Sequence, residues 1–160
     1  MPYSAAQTMI DALYPPGFRH YWKAQYLPGV AERLIDTIVD PFADVPSPLT
    51  QVILEHNGDG AVNRVAADAT AFGYRDHSYI LIVMSAWPDP AEDERNVAWT
   101  RDLYESLQPY ARHGVYVNYL GEEGGERVRE AYGANYERLV ALKRRYDPAN
   151  FFRLNQNIVP

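Results

Sequence analysis

The sequence predicts an α+β fold in which helices pack on one face of an antiparallel sheet. Residues 79–87 are almost entirely apolar, which is typical of a central strand covered on both faces. Aromatic residues crowd the run at 18–26, and residues 51–56 end at a strong turn signal, so both are predicted strands. Runs with the helical spacing of apolar residues lie between and after these strands.

The amino-terminal segment is predicted to hold two helices around the first strand. Ser4 and Gln7 form a capping-box pattern, and the helix that it opens is expected to end at the Pro-Pro-Gly run of residues 15–17. Pro28 suits the first position of the second helix, because its missing N–H would have no helical partner there. The apolar stripe of that helix would consist of Val30, Leu34, Ile35, Ile38 and Val39.

The middle of the chain is predicted to form a hairpin and then the central strand. Three prolines make residues 40–48 a loop before the strand at 51–56. Asn57-Gly58-Asp59-Gly60 is a turn signal, and residues 61–65 would form the returning strand. Tyr79–Trp87 then supplies the central strand.

The carboxyl-terminal half is predicted to be mainly helical. Asp89-Pro90 would start a long helix that reaches about residue 110. Its inward-facing side chains are expected to include Val97, Leu103, Tyr104 and Leu107. A strand at 115–119 and a loop at 122–125 should precede two more helices, at 127–131 and 136–145.

Composition excludes several classes of function. The 160 residues fit one domain, 1–160, and a net charge of −6 argues against non-specific nucleic-acid binding. Cysteine is absent, and no apolar run reaches the roughly 20 residues of a membrane span, so we expect no disulfide, no membrane insertion and a cytoplasmic location. The histidines lack the spacing of metal ligands, so no metal site is predicted; they are His20, His56, His77 and His113.

Three runs near the carboxyl terminus carry a family resemblance. They are Gly114–Leu120, Tyr132–Leu139 and Tyr146–Phe152, the last followed by Gln156-Asn157-Ile158. Their order and spacing resemble the carboxyl-terminal segment of the berberine-bridge-enzyme-like FAD-linked oxidases. We assign residues 114–160 to this segment.

Two earlier runs resemble the substrate-binding sheet of the same family. Residues 18–23 are similar to the start of that sheet, and residues 68–75 to the segment after its Gly-Gly hairpin. Two departures are visible. Asp59-Gly60 stands in place of Gly-Gly, and Tyr74 precedes Arg75 where the family usually has histidine.

The resemblance implies that Tyr119 acts on the substrate. In the family, a tyrosine at this place is the base or hydrogen-bonding partner of a substrate hydroxyl, while hydride leaves for flavin N5. That chemistry requires a lowered pKa, because a tyrosine near 10 is a poor base at neutral pH. Alternatively, Tyr119 ends a strand and its hydroxyl lies in water.

Some relatives add a second acidic group or tyrosine from a neighbouring strand. Strict register places Ile53 and Ile82 at those positions, and neither side chain can transfer a proton. Glu55 shares a strand face with Ile53, so a shift of two residues would give it the role. Alternatively, Glu55 is a solvated edge residue.

The resemblance also implies flavin contacts and anchoring residues. Asn118, Asn135 and Gln156 resemble polar residues near the flavin ring or its ribityl chain, although Asn135 could instead be a helix N-cap. The basic run at 143–145 complements a helix dipole, and Phe151 and Phe152 are expected to anchor the tail to the sheet.

Family members attach FAD in an amino-terminal domain through a histidine and often a cysteine, and these 160 residues show no such segment. We therefore expect a fragment, half of a split enzyme, or a stand-alone protein. In the first interpretation the chain is the substrate-binding and carboxyl-terminal part of an FAD-dependent oxidoreductase. In the second it is a flavin-free small-molecule-binding, cyclase or proton-transfer module.

The expected partners are a small-molecule substrate and either a flavin-domain chain or further copies of this chain. Alone, the chain should carry no covalent flavin and should not be a clean monomer.

Overall fold

A computed structural model describes residues 1–9, 11, 14, 16–58, 60–76 and 79–160 of the protein. Its sheet has three strands: β1 (Arg19–Leu27), β2 (Gln51–His56) and β3 (Tyr79–Trp87). The spatial order is β1-β3-β2, and both pairings are antiparallel. The α+β class and the central position of the apolar strand are therefore confirmed.

Five α-helices accompany the sheet in the described part of the chain. They are α1 (Tyr3–Gln7), α2 (Glu32–Val39), α3 (Asp93–Ser106), α4 (Gly125–Tyr132) and α5 (Tyr136–Tyr146). The helices predicted at 127–131 and 136–145 are confirmed by α4 and α5. The helical segment predicted from Asp89 is also present, since the Asp89 side chain accepts a bond from Ala91 N at 2.9 Å.

Helices α2 and α3 pack on one face of the sheet, which we call the helix face. Neighbouring residues of a strand point to opposite faces, so odd-numbered residues of β3 such as Leu81 and Val83 lie on this side. The buried core is aliphatic, and its members are Leu27, Leu34, Leu81, Val83, Leu103 and Leu107.

The opposite face, which we call the site face, carries Ala24, Tyr26, Ile80 and Ile82 at its centre. Aromatic side chains from outside the sheet pack on it, namely Tyr74, Tyr116 and Tyr119. A third cluster lies within the carboxyl-terminal segment and joins α4 and α5; its buried members are Val115, Leu120, Val128, Ala131, Tyr136 and Val140.

Several boundaries in the amino-terminal part differ from the prediction. Helix α1 begins at Tyr3 after Pro2, so Ser4 lies inside the helix and does not cap it. Helix α2 begins at Glu32, four residues after Pro28, because Gly29 favours an irregular backbone. Its apolar stripe is incomplete, since only Leu34 is buried while Ile35 and Val39 are exposed, as is Val30 before the helix. The predicted end of the first helix, at residues 15–17, lies partly outside the described residues.

The predicted hairpin after β2 is wrong in its second strand. Residues 62–64 form a 3-10 turn, and β2 pairs with β3 instead. The Asn63 side chain explains the turn, because it accepts from Gly60 N at 3.1 Å and donates to Arg75 O at 2.6 Å. Asp59, in the middle of the turn signal, lies outside the described residues.

The predicted strand at 115–119 is also wrong. Residues 117–119 form a 3-10 turn, closed by a bond from Tyr119 N to Tyr116 O at 2.9 Å. The long helix ends earlier than predicted, at Ser106, and a separate 3-10 turn spans Gln108–Tyr110. Pro109 has no N–H to continue the helical ladder.

Among the described residues, no helix combines the length and apolar character needed to cross a bilayer.

Candidate functional site

The centre of the site face is a hydrogen-bonded pair. The Tyr119 hydroxyl donates to Glu55 Oε1 at 2.7 Å, and both side chains are partly buried. The two predicted catalytic candidates, 64 residues apart in sequence, are thus brought together. A further bond, from Trp22 Nε1 to Tyr119 O at 3.0 Å, ties the tyrosine backbone to β1.

The register of the sheet explains why Glu55 is the partner. Glu55 lies opposite Ile80 on β3, and Ile80 lies opposite Tyr26 on β1. All three therefore belong to the site face. Ile53 lies two residues before Glu55 on β2, opposite Ile82, and contributes to the apolar floor.

The pKa of Tyr119 is shifted in the direction opposite to the one that a phenolate base requires. Burial, followed by the hydrogen bond to Glu55 and its negative charge, raises the pKa of Tyr119 above the ordinary value of 10.0. The lowered pKa that this chemistry requires is therefore not found, because no cation among the described residues lies beside the phenol to stabilise a phenolate, and the Glu55 carboxylate does lie there. At neutral pH the pair therefore consists of a protonated phenol that donates to an acceptor oxygen.

Tyr116 forms an aromatic wall next to the pair. Its ring is edge-on to Tyr119 at 5.3 Å between centroids, and Phe72 is edge-on to Tyr116 at 5.8 Å. In a strand, Tyr116 and Tyr119 would point to opposite faces. In a 3-10 turn, side chains three residues apart lie on the same side, so the turn places both rings over the sheet. Sequence reasoning missed Tyr116 because it assigned a strand here.

A cleft of about 310 Å³ opens beside Glu55 and Tyr116. Arg75 forms part of its wall, with its guanidinium over the Phe72 ring at 5.1 Å from the centroid. The same guanidinium donates to Val62 O at 2.9 Å and to Thr70 Oγ1 at 2.7 Å. Arg75 therefore holds the loop that borders the cleft.

Gly114 allows the irregular segment to approach the sheet. Its φ is +101°, and a β-carbon there would lie 2.4 Å from the ring of Tyr74. The Tyr74 hydroxyl in turn donates to Glu130 O at 2.6 Å, and Gly114 N donates to Glu130 Oε1 at 3.0 Å, so both the ring and the segment are joined to α4. Glycine is thus required both by the backbone angle and by the contact with the ring.

Two of the predicted flavin contacts share a second cleft. Asn118 and Gln156 both line an opening of about 520 Å³ together with Tyr132. The Asn118 amide is exposed and donates to the Tyr116 hydroxyl at 2.9 Å. The Gln156 amide donates to Leu120 O at 2.7 Å, so it also ties the tail to the turn.

Asn135 is placed differently. Its side chain is only 7% exposed, and Nδ2 donates to Ala67 O at 2.8 Å and to Thr70 O at 3.2 Å. Asn135 does occupy the N-cap position of α5, as the alternative predicts, but its side chain makes no capping hydrogen bond there. The amide group instead joins the start of α5 to the loop that borders the cleft of Glu55.

The described residues fit a flavin only in part. Asn118 and Gln156 offer neutral amides at an open cleft, which suits the carbonyl and nitrogen edge of an isoalloxazine ring. The described ranges contain no group of three or more His, Cys, Asp or Glu residues that could hold a metal ion.

The tail also departs from the prediction. Phe151 and Phe152 are 78% and 76% exposed, so they do not anchor the tail to the sheet. The tail is held instead by Lys143, which pairs with Asp147 and donates to Phe152 O. The basic run at 143–145 does occupy the last turn of α5, as predicted.

Comparison with known proteins places these features in a family context. Residues 115–159 match the protein family described as "Berberine and berberine like". The whole chain is 30% identical over 161 residues to an FAD-linked oxidoreductase of Dictyostelium discoideum. It is 39% identical over 131 residues, 82% of its length, to the FAD-linked oxidoreductase YgaK of Bacillus subtilis.

The fold is similar to that of solved structures as well. An aclacinomycin oxidoreductase matches 89% of this chain with a TM-score of 0.77 and 28% identity. The berberine-bridge-enzyme-like protein 28 of Arabidopsis thaliana matches 89% with a TM-score of 0.78 and 25% identity. The chain spans only 29–35% of the length of the curated relatives named above.

Proposed function

We propose that this chain, which belongs to the berberine-bridge-enzyme-like FAD-linked oxidoreductases, is the substrate-binding and carboxyl-terminal part of an enzyme that oxidises a small hydroxylated substrate. The flavin would be held mainly by residues outside these 160. The observation that carries the proposal is the hydrogen bond of 2.7 Å from the Tyr119 hydroxyl to Glu55 on the site face.

In the proposed reaction Tyr119 and Glu55 form a proton relay. The phenol oxygen accepts the proton of the substrate hydroxyl as its own proton passes to the Glu55 carboxylate. The substrate carbon loses hydride at the same time, so the C–O–H group becomes a carbonyl. When bound, FAD supplies the acceptor for that hydride at N5. The raised pKa of Tyr119 favours a relay over a stable phenolate, because the phenol is protonated at neutral pH.

The lining of the site supports a substrate with an apolar or aromatic face. Trp22, Ile53 and Met84 are partly buried around the pair, and Tyr116 closes one side. An edge-on contact covers one face of only one ring of each pair, so the other ring faces can stack with a bound molecule. A hydroxyl next to such a face would lie within reach of Tyr119.

Asn118 and Gln156 are proposed to hold one edge of the flavin ring. Both line the same cleft, and the Asn118 amide is exposed to it. Asn135 is proposed to act through the loop it holds, since its Nδ2 donates to Ala67 O and Thr70 O. Its substitution would then alter the shape of the substrate cleft.

The test is a double-mutant cycle in a flavin-loaded protein. A fusion in which this chain replaces the matching part of YgaK provides one, and anaerobic flavin reduction by a panel of phenols and hydroxylated sugars provides the rate. We expect Tyr119→Phe and Glu55→Gln each to lower the reduction rate by about 10²–10⁴-fold. The double variant should be little slower than either single variant, because both act in one relay.

Tyr110→Phe is the matched control, since it removes a tyrosine hydroxyl on the helix face that bonds to Thr37 Oγ1 and Arg33 O, away from Glu55 and from the proposed flavin contacts. Its effect should be less than about tenfold. Wild-type reduction rates in Tyr119→Phe, with an unchanged melting temperature, would contradict the proposed role.

A flavin-free function is the second candidate, and the same pair favours it, because a phenol and a carboxylate transfer protons without a redox partner. In that case the purified chain alone binds a small aromatic ligand. Tyr119→Phe should then weaken binding by about 1–1.5 kcal/mol, the value of one hydrogen bond. Isothermal titration with a phenol panel distinguishes the two candidates.

A further inference from the structure

The segment that carries Tyr119 passes over the edge of β1 and is held on both sides of that strand. Trp22 of β1 lies on the site face, where its indole N–H donates to Tyr119 O at 3.0 Å. Lys23 is the next residue of β1, so its side chain points to the helix face. There its ammonium group pairs with Glu123, shortly after Tyr119 in the chain, at 3.0 Å.

The loop that carries Glu123 depends on such contacts for its shape. It spans residues 121–125, and glycines flank its two glutamates; a glycine restricts the backbone less than any other residue does. The start of the loop is held by the Gln156 amide, which donates to Leu120 O at 2.7 Å and to Gly121 O at 3.3 Å. The ion pair of Glu123 fixes the middle of the loop against β1.

The Lys23–Glu123 pair is shielded from solvent. Its two side chains are 16% and 14% exposed, whereas those of the Arg95–Glu92 pair at the start of α3 are 66% and 46% exposed. Water and salt screen a partly buried ion pair much less than an exposed one. The Lys23 ammonium also lies 5.8 Å from the centroid of the Tyr104 ring of α3, which restricts its position further.

A second cation holds the same carboxylate. Arg127 Nε lies 3.4 Å from Glu123 Oε2, the oxygen that also faces Lys23. The Arg127 guanidinium pairs in addition with Glu130 and donates to the Tyr104 hydroxyl at 3.3 Å. One carboxylate thus links the loop to β1 and, through Arg127, to α3 and α4.

We propose that Lys23 and Glu123 are positioning residues for Tyr119, and that their ion pair keeps the phenol oxygen within hydrogen-bonding distance of Glu55. The inference rests on the proposed function, since it concerns the geometry of the relay. Neither side chain takes part in the chemistry, because the pair lies on the far side of β1 from the relay. Without it the loop loses its contact with β1, the bond from Trp22 to Tyr119 O opens more often, and the phenol is less often aligned with Glu55.

The three tryptophans of the chain provide a direct test, since each donates an indole N–H bond. Trp22 reports the contact with Tyr119, while Trp87 and Trp99 donate to acceptors away from the loop. Exchange of the indole N–H groups with solvent deuterium, followed by NMR in the flavin-loaded fusion with YgaK, measures each bond separately. Lys23→Met keeps most of the aliphatic stem and removes the charge. It should speed exchange at Trp22 about tenfold and leave Trp87 and Trp99 unchanged.

The same variant should slow the reaction without weakening substrate binding. We expect the limiting rate of flavin reduction to fall about tenfold, while the substrate concentration for half-maximal reduction stays the same, because the substrate contacts remain. Lys23→Arg keeps the cation and should restore both the exchange and the rate. Glu123→Gln leaves the Lys23 side chain intact and should shift both in the same direction as Lys23→Met. Arg95→Met is the matched control, since it removes the cation of an exposed ion pair and should change neither.

Three results would overturn the inference. In the first, Lys23→Met leaves exchange at Trp22 unchanged. In the second, all three indoles exchange faster by the same factor, which would mean that the ion pair stabilises the whole fold and does not position Tyr119. In the third, Tyr119→Phe slows the reaction, yet Lys23→Met slows it equally with and without that change. If Tyr119→Phe alone reduces flavin at the wild-type rate, the relay has failed, and exchange at Trp22 decides the positioning by itself.

Discussion

The two faces of this sheet are built from the same strands but covered in different ways. On the helix face, Leu81 and Val83 of β3 meet aliphatic side chains of two regular helices. On the site face, Ile80 and Ile82 meet tyrosines that arrive from a loop and a 3-10 turn. Aliphatic packing has no polar atoms to direct. Tyrosines on an irregular segment place hydroxyl groups at defined positions above the apolar surface of the sheet.

Close aliphatic packing and the placement of hydroxyl groups are thus divided between the two faces. A regular helix presents side chains at a fixed spacing, which suits close packing against a pleated surface. The turn at 117–119 instead places Tyr116 and Tyr119 side by side over β1 and β3. The stability of the fold should therefore depend most on side-chain volume on the helix face. The proposed reaction should depend most on hydroxyl groups on the site face.

The largest loss of stability is expected on the helix face. Leu81→Ala should lower the free energy of unfolding by about 2–5 kcal/mol, because the fully buried side chain leaves a cavity between β3 and the helices. Urea denaturation measures the change. Leu54→Ala is the control, since Leu54 lies opposite Leu81 on β2 but is exposed, and it should cost less than about 1 kcal/mol. Equal costs would show that the helix face does not carry the core.

A smaller loss is expected where the site face depends on a buried amide. Asn135→Ala removes the donor to Ala67 O and Thr70 O and should cost about 1–3 kcal/mol, because those carbonyls lose a partner at a buried position. Thermal unfolding of the chain without flavin gives the value. Asn118→Ala, at an exposed amide, should change stability by less than about 0.5 kcal/mol. If Asn135→Ala affects flavin binding but not stability, the assigned role of Asn135 in holding the loop at residues 67–70 is wrong.

The proposed catalytic pair, Tyr119 and Glu55, should itself contribute little to stability. Tyr119→Phe keeps the ring on the sheet and removes one hydrogen bond, so the expected cost is about 0.5–1.5 kcal/mol. Chemical denaturation of the two proteins side by side is sufficient. A cost above about 3 kcal/mol would place Tyr119 with the structural core and remove the contrast between the faces.

The smallest expected effect is a loss of stability at alkaline pH, and it should come from tyrosines on the site face. Burial raises the pKa of Tyr26 and of Tyr119 above 10.0, so the folded state keeps protons that the unfolded chain releases. Stability from this source is complete below pH 10 and is lost as the pH rises beyond it. Tyr119→Phe should reduce the pH dependence of the melting temperature above that value. An unchanged dependence would mean that Tyr119 titrates like a tyrosine in water.

The spacing of apolar residues along the chain accounts for most of what could be predicted from the sequence. The apolar run of β3 and the helical spacing of α4 and α5 led to correct elements, because burial of a continuous face leaves a pattern in the chain. The strand predicted at 115–119 failed for a local reason. Val, Tyr and Asn alternate there as in a strand, but the Tyr119 N–H bonds to Tyr116 O and Gly114 turns the backbone.

The sequence by itself determined the fold class, the family resemblance, and Tyr119 and Glu55 as candidates for the site. Tertiary structure alone decided that these two side chains meet, because the partner of Glu55 depends on the register of β2 against β3. It also decided the direction of the Tyr119 pKa and the exposure of Phe151 and Phe152. Both depend on what lies next to a side chain in space, and sequence periodicity reports which face a residue is on but not what covers that face.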